Sequence, residues 1–217
     1  TLGGLMRARG FRGGAGLHAD AAWDFRHVSL NHRDRTVSFD RPGIALDLGA
    51  VGKGHALDLA AAELRAAGVT SAFLHAGTSS VLSLGGPPDG PWWRVAVSPE
   101  VGSPVVRLRD RALGVSAPRG RVVKTQDGPR GHVMDPRKGE SVAMGGCAAV
   151  VTRSAALADA WSTALLVLGD GLPASPAVLA GIIDRGTAAD PRWRVLGDES
   201  DCVESRAVGG AFERSRH

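Results

Sequence analysis

The 217-residue chain contains no tyrosine, and aromatic residues make up only 5% of it. Trp23, Trp92, Trp93, Trp161 and Trp193 do not form the arginine-interleaved run that a base-stacking surface requires. No block of like charges accompanies the net charge of +4, so nucleic-acid binding is not the expectation. Cysteine is nearly absent. Cys147 and Cys202 have no partners at zinc-ligand spacing and read as small buried hydrophobes, and nothing requires the single disulfide an oxidising compartment would permit. Long apolar runs are missing too: the longest, Ala155–Leu168, is interrupted by Asp159, Ser162 and Thr163, which excludes a membrane span there. The histidines show no H-E-x-x-H spacing, no G-x-S-x-G elbow is present, and Lys53 is followed by Gly54 rather than Ser or Thr. Zinc protease, serine hydrolase and P-loop triphosphatase signatures are therefore lacking.

Apolar residues at 43% and charged residues at 22% describe a packed globular chain, and the length suits one compact domain over residues 1–217. No solenoid-type repeat is present. The fold class expected is α/β with mixed sheets flanked by helices. Residues 10–16 are Gly- and Arg-rich and read as loop. Residues 26–30 and 35–39 alternate around Asn31 to Asp34 as a hairpin does. Residues 44–48 read as a short buried strand. Leu57, Ala61 and Leu64 then recur at helical spacing up to Gly68, and residues 71–75 return as a strand, so a βαβ unit is expected. Residues 93–97, 105–108 and 112–116 read as further strands, and the polar stretch 119–131 as a mobile loop leading to His132. Cys147–Thr152 is an apolar strand. Ser154 then caps a helix over Ala155–Leu168 that stops at Gly169. Residues 193–196 and 206–212 are expected to close the sheet as an antiparallel pair.

Asp47-Leu-Gly-Ala-Val-Gly-Lys53-Gly54 places a carboxylate, a glycine-rich turn and a lysine at the start of a helix. Backbone amides, the helix N-terminus and Lys53 together suit a phosphate; a tight turn with a surface lysine is the plainer reading. Asp159 and Thr163 are four residues apart on one helix face. Hard oxygen donors among small alanines suit Mg²⁺ with substrate oxygens and water; a hydrogen-bonded pair in the core is the alternative. His132, before Asp135-Pro136, is able to move a proton near neutrality or to serve as an ordinary loop histidine.

Taken in order, these segments resemble the ApbE family of FAD:protein FMN transferases. The matches are Asp47-Leu-Gly-Ala-Val-Gly-Lys53-Gly54-His-Ala-Leu-Asp58, Ala76-Gly77, Trp93-Arg-Val-Ala-Val-Ser-Pro99, His132-Val-Met-Asp135-Pro136 and Ala158-Asp159-Ala-Trp-Ser-Thr163-Ala. The resemblance implies an ApbE-like fold with a flavin-binding cleft, Mg²⁺ as cofactor, and transfer of FMN from FAD to a Ser or Thr hydroxyl of a target protein, with AMP leaving. By position it implies that Asp47, Lys53 and Val133 contact FAD, that the Ala50 carbonyl, Asp159 and Thr163 hold the metal, and that His132 is catalytic. Ala76-Gly77-Thr78-Ser79 departs from the family's second glycine followed by aspartate, and Ser116-Ala117 from its Ser-Gly pair. Thr1-Leu-Gly-Gly-Leu5 is similar to a segment well inside longer members, so a domain short at its N-terminus is expected. A relative that binds flavin without transferring it, or one that hydrolyses FAD to FMN and AMP, is the alternative. Whether the chain acts in the cytoplasm or after export is left open by the residues.

Overall fold

A computed structural model describes residues 6, 25–100, 102–118, 122–125, 128–143, 145–186, 190–197, 202–204 and 212–214. The loop at 10–16 and the segment 1–5 lie outside the described residues. In chain order the strands are β1 (Val28–Asn31), β2 (Thr36–Phe39), β3 (Ala72–His75), β4 (Ser80–Leu84), β5 (Trp93–Ala96), β6 (Val105–Leu108), β7 (Ala112–Ser116), β8 (Val122–Thr125), β9 (Gly128–Gly131), β10 (Met134–Asp135), β11 (Glu140–Ser141), β12 (Cys147–Thr152), β13 (Ala180–Asp184), β14 (Trp193–Leu196), β15 (Val203–Glu204) and β16 (Phe212–Arg214). Among the described residues the long helices are α1 (Gly52–Ala66), between β2 and β3, and α2 (Ala155–Leu168), between β12 and β13. The chain divides into two compact units, one of Thr1–Leu48 with Pro118–Met144, the other of Gly49–Ala117 with Gly145–His217.

The second unit holds a seven-stranded sheet in the order β16-β14-β13-β12-β7-β4-β3 and a three-stranded sheet in the order β15-β6-β5. Side chains alternate across a strand, and β7 shows the consequence: Ala112 packs with the helices, Leu113 with the other layer. On the helix side Leu57, Ala61, Ala155 and Ala158 meet Leu82, Leu84 and Ala112. Leu113, Ala149, Val151, Ile182 and Val195 meet Val106 and Leu108 of the small sheet on the opposite side. The result is three layers: helices, large sheet, small sheet. Cys147 and Cys202 are buried in the inter-sheet core, as small hydrophobes are. Among the described residues, no helix is long and apolar enough to cross a membrane.

Helix α2 starts and stops where its sequence signals place it. Ser154 Oγ accepts from the Leu157 amide at 3.3 Å, and Gly169, at φ 58, donates its amide to the Leu165 carbonyl. A second cap comes from α1: Asp58 accepts from the Ala155 amide at 2.7 Å, the Ala156 amide at 3.0 Å and the Ser154 hydroxyl at 2.7 Å. One carboxylate thus satisfies donors that a helix start leaves open and sits favourably against the helix dipole. Asp58→Ala is expected to destabilise the protein by about 2–3 kcal/mol, with Asp58→Asn intermediate. Urea denaturation followed by circular dichroism measures this, and an unchanged midpoint would show that the second cap contributes nothing.

In the first unit, β1 and β2 pair antiparallel with Leu30 opposite Val37, as the alternation predicts. Asn31 Oδ1 accepts from the amides of Arg33 and Asp34 and closes the turn.

Several expectations are corrected. Residues 44–48 form no strand, and Leu46 and Leu48 are exposed; an apolar run becomes a strand only where a neighbouring strand accepts its amides. No βαβ unit follows, because α1 leads into β3, which pairs antiparallel with β4. The stretch 119–131 is not simply a loop, since β8 and β9 form a hairpin within it. β14 pairs with β16 in parallel, not antiparallel; residues 206–211 lie outside the described residues. β6 and β7 are consecutive yet belong to different sheets.

Candidate functional site

The contact between α1, α2 and the strands β4 and β7 centres on Asp159. Gly114 of β7 makes it possible: a Cβ there would stand 2.4 Å from the carbonyl of Ala158 and 2.7 Å from the amide of Asp159, so only glycine lets α2 lie this close to the sheet. Gly54 does the same between the helices, where a Cβ would fall 2.1 Å from the Ala155 carbonyl oxygen. Asp159, only 5% exposed, accepts from the Gly54 amide at 2.8 Å through Oδ2 and from the Ser80 hydroxyl at 2.6 Å through Oδ1. The Gly54 amide belongs to the first turn of α1, where amides lack partners within the helix. The anion bound at this helix start is therefore the protein's own carboxylate.

Lys53 Nζ lies 3.9 Å from Asp159 Oδ2, with 45% of its side chain exposed. At that distance and exposure the pair contributes little to stability, and the ammonium keeps a face toward solvent. One helical turn on from Asp159, Thr163 Oγ1 donates to the Asp159 carbonyl oxygen at 3.2 Å and lies 2.9 Å from Ser116 Oγ. Ala50 is exposed in the turn before α1.

The side-chain donors gathered here are hard oxygens, the kind that hard cations take. Among the described residues no group of three or more His, Cys, Asp or Glu side chains surrounds a common point. One buried carboxylate with neighbouring hydroxyls is a donor set that a hard cation keeping part of its water shell is able to use.

In the other unit, His132 is half-buried just after β9, Val133 is buried with its carbonyl accepting from the Val142 amide at 2.8 Å, and Asp47 is half-buried outside any strand. Asp135 accepts from the Arg137 amide at 2.9 Å and from its guanidinium at 2.9 and 2.7 Å, closing the turn that follows His132. The Arg137 side-chain hydrogen bonds hold the Asp135 carboxyl below its ordinary pKa, against an opposing push from burial. A carboxyl depressed in the folded state adds stability above its unfolded pKa of about 3.9 and loses it as pH falls through the folded value. Asp135→Asn is thus expected to be less stable than the parent at neutral pH, with the gap closing below about pH 4. Denaturant midpoints at a series of pH values check this; a gap independent of pH would refute it.

Of the residues singled out from sequence, Lys53 and Asp159 are brought together, with Thr163 one turn away. Asp47, His132 and Val133 belong to the other unit. Reading the sequence gave no site role to Ser80, Ser116, Ser162 or Gly114. Asp58 lay inside a matching motif without a role, so its position was signalled; Ser80 and Gly114 carry no local signal.

A family model described as the ApbE family matches residues 5–179. The chain is 34% identical over 184 residues to an FAD:protein FMN transferase of Rhodobacter capsulatus, an alignment covering 78% of this chain and 35% of that relative. The chain thus spans about a third of the length of this curated relative. Among solved structures it is similar to the flavinyl transferase ApbE of Pseudomonas stutzeri, apo form, with 25% identity, a TM-score of 0.68, and 85% and 62% of the two chains covered. Its fold also matches the flavin transferase ApbE of Vibrio cholerae, with 22% identity, a TM-score of 0.71, and 92% and 68% covered. Five motifs in family order, a family model matched over residues 5–179 and a shared mixed α/β architecture lead to one conclusion: the chain belongs to the ApbE family.

Proposed function

We propose that residues 1–217 act as one flavin transferase domain that moves FMN from FAD, held in a flavin-binding cleft, to a Ser or Thr hydroxyl of a target protein. The observation that carries this reading is the buried Asp159 carboxylate, held by Gly54 and Ser80 with Lys53 at 3.9 Å. The transferase named in the relative from Rhodobacter capsulatus supports it. Asp159 and Thr163, with the Ala50 carbonyl, would hold Mg²⁺, which when bound supplies positive charge to offset that of the pyrophosphate. Lys53 adds a further positive charge for the phosphates, and Asp47 and Val133 contact FAD. His132, the catalytic histidine by resemblance to the family, takes the proton of the acceptor hydroxyl. The acceptor oxygen then bonds to the FMN phosphorus as the bond to the bridging oxygen breaks, and that oxygen leaves on AMP.

Purified protein incubated with FAD, Mg²⁺ and an acceptor protein is expected to yield a covalent FMN adduct by mass spectrometry, with one AMP released per adduct. Protein that binds FAD yet forms no adduct would overturn transfer, and release of free FMN with AMP would assign hydrolysis instead.

A further inference from the structure

Two strand hydroxyls to which the sequence motifs gave no role stand against Asp159 and Thr163. Ser80 is buried at 1% exposure on β4, opposite Gly114 of β7, and donates to Asp159 Oδ1 at 2.6 Å. With the Gly54 amide on Oδ2, each carboxylate oxygen carries one fixed donor, which sets the direction of its remaining lone pairs. Ser116, two residues beyond Gly114 and so on the same strand face, lies 2.9 Å from Ser162 Oγ and 2.9 Å from Thr163 Oγ1.

Counting protons orders this cluster. Ser162 donates to the Asp159 carbonyl at 3.0 Å. If that bond holds, Ser162 accepts from Ser116, and Ser116, its proton committed, accepts from Thr163. If Ser162 turns to Ser116 instead, Ser116 donates to Thr163, and Thr163 donates to the Asp159 carbonyl. In both arrangements the Thr163 proton is directed into the protein, and at least one lone pair remains for an outside partner. We infer that Ser80 and Ser116 are positioning residues that make Asp159 and Thr163 acceptor-only oxygens, pre-aimed at a hard divalent cation. Such a supporting set fixes ligand direction, and its loss weakens metal affinity about 10- to 100-fold. The inference rests on the proposed metal role of Asp159 and Thr163.

The test is Mg²⁺ titration of the full chain by calorimetry, alongside Mg²⁺-dependent FAD binding by flavin fluorescence. Ser80→Ala and Ser116→Ala are each expected to raise the Mg²⁺ Kd about tenfold, while FAD affinity without Mg²⁺ stays at the parent value. Ser116→Thr, which keeps the hydroxyl, restores most of the loss, a recovery that a purely packing role would not produce. If Ser80→Ala does not fold, Ser80→Cys keeps the volume with a weaker donor and is expected to show the same loss. Parent-like Mg²⁺ affinity in the folded serine variants overturns the inference. A parent that binds Mg²⁺ equally well after Asp159→Asn overturns the underlying metal reading, and the inference with it.

Discussion

On the proposed function, Asp159→Asn is expected to fold, to lose Mg²⁺-dependent FAD binding and to lower flavin transfer about 10²- to 10³-fold, the size of effect seen when one preorganised electrostatic group is removed. Asparagine matches the shape of aspartate. Its carbonyl accepts from the Gly54 amide, and the Ser80 hydroxyl turns to accept from its NH₂, so the two bonds at 2.8 and 2.6 Å survive in altered polarity. What disappears is the negative charge beside Lys53. Asp159→Ala, by contrast, leaves the Gly54 and Ser80 donors buried without a partner and adds a stability loss of about 1–3 kcal/mol. Comparing transfer rates across a Mg²⁺ series with melting curves separates the two effects. Transfer by Asp159→Asn within a few-fold of the parent would remove Asp159 from the chemistry.

Gly54→Ala is expected to be among the most destabilising single-methyl changes in the molecule. The added Cβ meets only backbone, at 2.1 Å from the Ala155 oxygen, 2.3 Å from its carbon and 2.6 Å from the Ala156 nitrogen. No rotamer relieves such an overlap, so α1 and α2 must separate, loosening both the Asp159–Gly54 bond and the Asp58 cap. The loss is placed at about 3 kcal/mol, the upper end for overpacking. At Gly52, two residues earlier in the same helix, a Cβ would meet nothing within 4 Å. Gly52→Ala is therefore expected to be neutral or to stabilise by up to about 1 kcal/mol. Denaturant midpoints of the pair provide the check: if both variants unfold with the parent, the close approach of the helices is not a constraint.

The two glycines also show how a motif is misread. In sequence, Gly54 suggests a backbone opened to a phosphate. In the fold its amide is bonded to Asp159, and its missing side chain makes room for the start of α2. Helix α2 itself was legible, because a cap, an apolar stretch and a C-terminal glycine are all local. So was the β1–β2 hairpin, whose alternation surrounds a turn closed by Asn31. The run at 44–48 was not, since apolar composition does not say whether a partner strand is adjacent.

By itself the sequence determined the family, through motifs whose order survives in the chain, and the elements whose hydrogen bonds lie within a few residues. Only the tertiary structure decided that Gly54 and Asp159, 105 positions apart, share a hydrogen bond, that Asp58 reaches across to cap α2, and that β4 brings Ser80 to the same carboxylate. The physical reason is one of range: helix and strand signals repeat along the chain with the period of the element, whereas a contact between distant segments leaves no period to read.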